Sequence, residues 1–291
     1  MDTERVSFVV DGDEVVGVLF VPDGTPTAVL VVDGPLTSVK EQVGTNYGKA
    51  FAARGFAALA LDHRHFGESG GQPRQYEHPG RKVEDIRAAL GFLTTHRPGL
   101  PLGVVGVCAG AGYAAHAVAV DPRVRAFGSV AGFFHDVEQQ RTWMKERFDP
   151  AIERARAARE HFEQTGEAES IPAVGTSGEV AMPLEEAFEY YGTPRGGVPG
   201  YTNNFAVMSR EHTLPWDAQS AAPKITAPTI LVHSDQALAP PLAKKFYTAL
   251  GGPKELVWTE SRGQVDFYDE PALVDRASDH LARFFREHLL G

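Results

Sequence analysis

The sequence of 291 residues contains a single cysteine, Cys108. One thiol excludes an internal disulfide and any zinc site built from several cysteines, and it is consistent with a reducing compartment. Cys108 is therefore free for chemistry. Long apolar runs are also scarce, and no stretch reaches the roughly 20 residues that a membrane-spanning helix requires.

Positive charge is in deficit. The chain has 28 Lys and Arg against 38 Asp and Glu, which gives a formal net charge of -10. Nucleic-acid binding depends on clustered cations that neutralise phosphates, so we expect no nucleic-acid partner. The first residues are acidic and precede no apolar run of signal-peptide form, so we expect a cytoplasmic protein. The expected partner is a small-molecule substrate, with a homodimer left open.

Motifs that hold metals or phosphates are missing. The sequence contains no H-E-x-x-H, no Walker-type loop and no dinucleotide G-x-G-x-x-G after the first predicted parallel strand. Each of these motifs supplies the ligand atoms or the backbone cradle of its site. We therefore expect neither a metal site nor a cofactor.

Apolar, β-branched runs alternate with helical patterns along most of the chain. This alternation predicts one α/β domain over 1–291, with a mostly parallel, doubly wound sheet covered by helices. Runs at 5–10 and 14–21 flank a short Gly-containing turn and predict an antiparallel hairpin. The further predicted strands are 28–32, 56–61, 102–106, 124–130, 228–233 and 255–259, and the predicted helices are 39–54, 81–96, one directly after Cys108, 240–250 and 271–289.

The alternation stops between about 134 and 222. Helical runs such as 151–163 and a Gly-rich loop at 192–197 predict a cap inserted into the domain. Ligand pockets often lie under inserted segments, although packing is the commoner role of aromatic residues at helical spacing. The aromatic candidates to line a pocket are Phe133, Phe134, Trp143, Phe162, Phe188, Tyr190, Tyr191, Tyr201, Phe205 and Trp216.

Residues 102–112 predict a strand that runs into a Gly-rich turn and then a helix. Cys108 stands in this turn in the pattern G-x-C-x-G, with Gly106 and Gly110. In the serine version of the motif, the nucleophile lies on a strained turn and small residues on both sides make room for it. The following helix N-terminus lowers a thiol pKa, and the Ala109 N–H can point at an oxyanion. Cys108 is thus the candidate nucleophile, against the alternative of a buried structural cysteine.

With these features the chain resembles the α/β-hydrolase superfamily over essentially its whole length. Residues 61–71 resemble the D-x-R-G-x-G-x-S-x-G segment of these enzymes, with His65 in place of a glycine. The S-V-K-E-Q motif at 38–42 is similar to that of a bacterial group of dienelactone-hydrolase-like and acyl-peptidase-like proteins. The resemblance implies the α/β-hydrolase fold and a cysteine that acts with His and Asp on an ester-like bond.

The same resemblance implies a catalytic acid after the strand that ends at His233, and a catalytic histidine after the strand 255–259. Asp235 fits the acid, although a solvated or helix-capping Asp is the plainer alternative. Where relatives resemble G-x-x-H-V-D-L-Y-D, this chain has Gln264 at the histidine position. An amide neither accepts nor delivers a proton near neutral pH, so ordinary hydrolysis lacks its usual base.

Another histidine is a candidate to replace that base. His135 follows the strand 124–130, and His63 and His233 also lie at the carboxyl ends of strands, where open α/β sheets bind ligands. For each of them a buried structural role is the commoner one.

The resemblance also places a second oxyanion donor in residues 33–38. Pro35 has no N–H, which favours Leu36. The sequence therefore predicts an enzyme that acts through Cys108 on an ester, thioester or lactone-type bond of a small apolar metabolite, with Ala109 and Leu36 as oxyanion donors. A lyase or cyclase that uses the same pocket without water, and a catalytically silent ligand-binding protein, stay open as alternatives.

Overall fold

The structure is a computed structural model that describes residues 1–290. Within these residues, eight strands form one sheet and two short strands pair separately. The strands are β1 (Asp2–Val10), β2 (Asp13–Val21), β3 (Val29–Asp33), β4 (Ala57–Leu61), β5 (Leu102–Val107), β6 (Val124–Val130), β7 (Ser170–Ile171), β8 (Phe205–Ala206), β9 (Thr229–His233) and β10 (Lys254–Trp258). The order in the large sheet is β1-β2-β4-β3-β5-β6-β9-β10.

The sheet begins with an antiparallel hairpin and continues in parallel. Asp11 and Gly12 connect β1 to β2, both with positive φ, which matches the right-handed twist of a two-residue hairpin turn. β2 pairs antiparallel with β4, and the pairs from β4 through β3, β5, β6, β9 and β10 are parallel. The predicted α/β-hydrolase architecture with an N-terminal hairpin is confirmed.

The central strands are buried along their whole length, because helices cover both of their faces. These helices are α1 (Thr45–Ala52), α2 (Pro79–His96), α3 (Ala109–Val120), α8 (Pro240–Ala249), α9 (Asp266–Asp269) and α10 (Pro271–Leu289). The α10 helix buries an apolar stripe, and its Leu281 approaches so closely that a Cβ on Gly128 of β6 would lie 2.5 Å from the leucine Cδ2 atom. Among the described residues, no helix combines the length and apolar content needed to cross a bilayer.

The helix predicted at 39–54 is wrong in its first part. Residues Lys40–Gly44 form a separate π-helical turn, and α1 begins only at Thr45. Gln42 leaves helical geometry with φ -88 and ψ -120, and its side chain donates to the Gly196 carbonyl at 2.7 Å. This long-range hydrogen bond interrupts a helix that the local pattern favours.

Residues 131–228, called the inserted segment below, connect β6 to β9. They contain the helices α4 (Val137–Met144), α5 (Phe148–Thr165), α6 (Glu185–Tyr191) and α7 (Arg210–Thr213), together with β7, β8 and short 3-10 turns at Lys145–Arg147, Val207–Ser209 and Gln219–Lys224. Part of the segment packs in a small apolar cluster that includes Ile171 and Phe205, and Tyr76 from the main domain joins it. The cap expected at 134–222 falls within this segment.

Candidate active site

The turn between β5 and α3 holds Cys108 in a strained conformation. Its φ is +55 and its ψ is -124, a region that non-glycine residues rarely adopt. A Cβ on Gly106 would lie 2.4 Å from Ala111 Cα, and one on Gly110 would lie 2.4 Å from the Gly34 carbonyl oxygen. Both neighbours are backbone atoms that cannot move aside, so the two glycines permit the sharp turn.

The Cys108 thiol is buried, and burial raises its pKa above the ordinary thiol value. Three polar groups beside the thiol oppose that shift and lower the pKa: the Tyr268 hydroxyl, the Ala109 main-chain N–H and the Gln264 side-chain amide. Donors directed at sulfur stabilise the charged form. These three groups favour the thiolate, but burial has the larger effect on the thiol pKa.

Gln264 lies beside Cys108, as the spacing of its segment implied. Its Nε2 donates to the Ala131 carbonyl at 2.9 Å and to the Tyr268 hydroxyl at 3.4 Å. Its Oε1 accepts the Leu238 main-chain N–H at 2.8 Å. These bonds fix the amide in one orientation, so Gln264 is a rigid hydrogen-bonding group with no proton to transfer.

Tyr268 is a site residue that the sequence interpretation missed. It is buried in the turn of α9, four residues after Gln264, and its hydroxyl accepts a hydrogen bond from Gln264 Nε2 and affects the pKa of the Cys108 thiol. Burial raises the pKa of this phenol well above its ordinary value, so the hydroxyl keeps its proton. The spacing of four residues, which puts two side chains on one helical face, is the signal that could have identified it.

The structure does not bring Asp235 to Gln264. The carboxylate is 69% exposed and pairs with Lys244 at 3.4 Å. The Ser234 hydroxyl accepts the N–H groups of Gln236 and Ala237, and this tight turn leaves Asp235 outside. The Leu238 N–H contacts Gln264 where the carboxylate of a catalytic acid would contact the histidine. A main-chain donor therefore takes the place of the acid.

Both candidate oxyanion donors lie in the cavity wall next to Cys108. Ala109 is the first residue of α3 and directly follows Cys108, and its N–H lowers the pKa of the thiol. Leu36 lies in the loop after β3, and within residues 1–290 its N–H donates to no protein acceptor. Both N–H groups therefore stay candidates for an oxyanion hole.

A cavity of about 460 Å³ opens above Cys108. The inserted segment supplies most of its wall, which is largely apolar, and Trp143 and Leu184 of that wall are among the exposed large apolar side chains. Of the aromatic candidates, Phe133, Trp143, Phe205 and Trp216 line the cavity. Phe134 instead stacks on Phe246 at 3.7 Å in the core. A second hollow, near Met1 and Lys49, contains none of the candidate residues.

His135 lines the same cavity as Cys108. The Phe133 N–H donates to the Cys108 carbonyl at 2.8 Å, which holds the loop after β6 against the turn. Burial lowers the pKa of His135, so the imidazole is neutral at pH 7. Its Nδ1 hydrogen-bonds the Trp216 carbonyl, which leaves Nε2 as the nitrogen able to accept a proton.

The other two histidines have different surroundings. His63 bridges Asp33 at 2.7 Å and Asp85 at 3.1 Å. Although burial lowers its pKa, attraction to Asp33 and the hydrogen bonds to both carboxylates raise that pKa to about 9. His63 is therefore a cation at neutral pH and has no lone pair for a base. His233 is buried and stacks on Trp258 at 5.1 Å.

Three carboxylates, of Glu41, Asp62 and Glu68, converge in the way that a cation site requires. The Lys40 ammonium lies among them, at 2.7, 2.7 and 2.8 Å respectively. This lysine balances their charge and fixes the turn at residues 40–44.

Known proteins resemble this chain in sequence and structure. A family profile described as "Serine aminopeptidase, S33" matches residues 28–170. "Uncharacterized protein YcjY" of Escherichia coli (strain K12) is 34% identical over 271 residues, which cover 89% of this chain and 88% of YcjY. "Thiohydrolase aneE" of Aspergillus aculeatus is 27% identical over 267 residues, covering 87% of this chain and 83% of aneE.

Among solved structures, the hypothetical protein PA2218 from Pseudomonas aeruginosa superposes with a TM-score of 0.84 and 29% sequence identity, covering 99% of this chain and 94% of PA2218. The expected resemblance is confirmed at the level of the superfamily, and the finer assignment to a dienelactone-hydrolase-like group stays a prediction. The chain belongs to the α/β-hydrolase family and is an enzyme of that family.

Proposed function

We propose that Cys108 accepts an acyl group from an ester, thioester or lactone-type substrate whose acyl part is apolar. One observation carries the proposal: a thiol on a strained turn, with the Ala109 N–H, the Tyr268 hydroxyl and the Gln264 amide beside it, forms the floor of an apolar cavity. The name of the relative aneE, a thiohydrolase, favours a thioester among these bonds.

In the acylation step the Cys108 sulfur attacks the carbonyl carbon with its lone pair. The carbonyl π electrons move to oxygen, where the Ala109 and Leu36 N–H groups stabilise the negative charge. The intermediate then collapses and the bond to the leaving thiol or alcohol breaks. The leaving group takes up the proton that the cysteine gave up, and an acyl thioester remains on Cys108.

Release of the acyl group needs a second nucleophile. Gln264 cannot deprotonate water, so hydrolysis lacks the base of an ordinary triad and is the slower route. His135, a neutral imidazole in the same cavity, is the proposed proton acceptor for the incoming group. A hydroxyl on the substrate's own chain is a nucleophile that needs no entering water, and this favours a cyclase as the second candidate function.

Intact-mass spectrometry tests the covalent step. The wild type is mixed with a hexanoyl thioester of N-acetylcysteamine, and we expect one added acyl mass per chain on Cys108. Cys108→Ala serves as the matched variant and should stay unmodified. Absence of any adduct in the wild type, or equal thioester turnover by Cys108→Ala, would contradict the proposal and favour chemistry that does not pass through Cys108, such as that of a lyase.

A hydroxyacyl thioester separates the two outcomes of release. With a chain that carries a terminal hydroxyl, a cyclase yields the lactone, and a thioester hydrolase yields the free hydroxy acid. Mass spectrometry distinguishes the two products by one water. Free acid as the main product would reject the cyclase and keep the hydrolase.

A further inference from the structure

Glu77 has a fully buried carboxylate beneath the candidate oxyanion hole. Its Oε2 accepts the Thr37 main-chain N–H at 3.1 Å. Its Oε1 accepts the Tyr113 hydroxyl at 2.9 Å and pairs with the Lys82 ammonium at 2.7 Å. Hydrogen bonds to an ionised acceptor are about twice as strong as neutral ones, so this carboxylate fixes its partners firmly.

The Thr37 bond holds the loop that carries Leu36. Thr37 has φ +61, which is an unfavourable region for a β-branched residue. A residue held there needs compensation from its surroundings. The hydrogen bond from the Thr37 N–H to the Glu77 carboxylate stabilises this conformation and fixes the orientation of the peptide between Leu36 and Thr37.

The Tyr113 bond reaches the other donor. Tyr113 lies on α3, one turn after Ala109, the candidate oxyanion donor that directly follows Cys108. One carboxylate therefore contacts both structures that supply oxyanion donors, the loop after β3 and the start of α3. Lys82 balances the charge from α2, and the Glu77 N–H donates to Ser209 of the inserted segment at 2.9 Å.

We propose that Glu77 is a positioning residue that sets the spacing between the Leu36 and Ala109 N–H groups. The inference rests on the proposed function, because it assumes that these two groups stabilise an oxyanion. A neutral amide at this position has one acceptor oxygen, and its NH2 group would face the Thr37 N–H or the donors from Tyr113 and Lys82. The loop would then relax from its strained conformation.

Two reactions at the same sulfur separate this role from a general structural one. Acylation by the hexanoyl thioester forms an oxyanion, whereas alkylation by iodoacetamide displaces iodide from a saturated carbon and needs no oxyanion hole. Loss of an oxyanion donor costs about 100- to 1000-fold in rate. For Glu77→Gln, which displaces a donor, we expect acylation to slow by about tenfold or more and alkylation to change by less than about twofold.

Two further variants control the result. Ser209→Ala removes the bond to the inserted segment and keeps the carboxylate, so both rates should stay within about twofold of the wild type. Tyr113→Phe removes one donor to Glu77 and should slow acylation less than Glu77→Gln does. It replaces Glu77→Gln as the deciding variant if thermal denaturation shows that Glu77→Gln does not fold.

Equal losses in acylation and alkylation would overturn the inference, because Glu77 would then affect the thiol itself. Unchanged acylation in a folded Glu77→Gln or Tyr113→Phe protein would overturn it as well. A wild type that iodoacetamide alkylates but the thioester fails to acylate would instead reject the proposed function, and the inference with it.

Discussion

Two regions at the same edge of the sheet differ in how many of the predicted catalytic residues they place at the cavity. At β3 and β5 the predicted groups come together: Cys108 lies on its strained turn, and Ala109 and Leu36 line the same cavity. At β9 and β10 the usual histidine and acid are missing from the site. Gln264 stands at the histidine position and is fixed by hydrogen bonds, and Asp235 lies at the surface.

This difference separates attack from release. A thiol ionises at a lower pH than a hydroxyl, so it can attack a carbonyl without a histidine next to it. Water needs a base to take its proton, and the usual position of that base holds Gln264. On the proposed function, we therefore expect an acyl-enzyme to form faster than it is hydrolysed.

The largest loss of stability and acylation is expected from a substitution in the turn that holds Cys108. In Gly110→Ala the new Cβ would meet the Gly34 and Asp33 carbonyl oxygens at 2.4 and 2.8 Å. Overpacking of this kind costs about 1–3 kcal/mol of folding stability or more, and the shifted turn would also misplace Cys108. We expect a clear drop in thermal denaturation temperature and loss of acylation.

Gly91→Ala on α2 is the matched control. Its Cβ would meet only the flexible end of Arg123, at 3.2 Å, and alanine favours a helix over glycine by about 1 kcal/mol. It should be neutral or stabilising. Similar stability of the two variants would show that the turn tolerates a Cβ and contradict the importance of its glycines.

A smaller effect is expected from Tyr268→Phe. The change removes a donor to the sulfur, so the thiol pKa, which burial already raises, should rise further. A hydrogen bond of about 0.5–1.5 kcal/mol corresponds to a roughly two- to tenfold lower thiolate fraction at pH 7. The loss should disappear at a pH above both pKa values, since the thiol is then ionised in both proteins.

The measurement is the rate of iodoacetamide alkylation as a function of pH. For the wild type we expect the rate to keep increasing above the ordinary thiol pKa. Tyr247→Phe on α8 controls for loss of a tyrosine hydroxyl elsewhere and should leave the profile unchanged. A Tyr268→Phe profile identical to that of the wild type would mean that the hydroxyl does not stabilise the thiolate.

Gln264→His restores a histidine at the usual base position, and we expect it to raise the release rate only slightly. An imidazole there would face the Leu238 N–H, which is a donor and cannot stabilise an imidazolium as a carboxylate does. We expect the release rate of the acyl-enzyme to rise by less than about tenfold, below the 100-fold or more of an effective general base. A larger gain would show that an acid, such as Asp235, does reach this position.

The smallest effect is expected from Asp235→Asn. The carboxylate is exposed, and its pair with Lys244 contributes about 0–1 kcal/mol to stability at most. Acylation and release rates should stay within about twofold of the wild type. A strong loss of activity in a folded variant would return Asp235 to the catalytic role that the sequence suggested.

The sequence predicts the region around Cys108 well and the region after β9 poorly. The elbow is encoded locally, since Gly106, Cys108 and Gly110 stand within five residues between a strand and a helix. The direction of the Asp235 side chain depends on the turn in which the Ser234 hydroxyl accepts the N–H groups of Gln236 and Ala237. The sequence pattern does not predict that turn. Contacts across the fold, such as Gln42 with Gly196, likewise escaped the helical pattern.

Pre-steady-state kinetics of thiol release from the hexanoyl thioester test the central claim most directly. If attack is intact and hydrolysis lacks its base, one equivalent of thiol per chain is released in a burst, followed by a much slower steady rate. The burst should vanish in Cys108→Ala. Linear release from the first turnover, or a burst that persists without Cys108, would contradict an acyl-enzyme formed faster than it is hydrolysed.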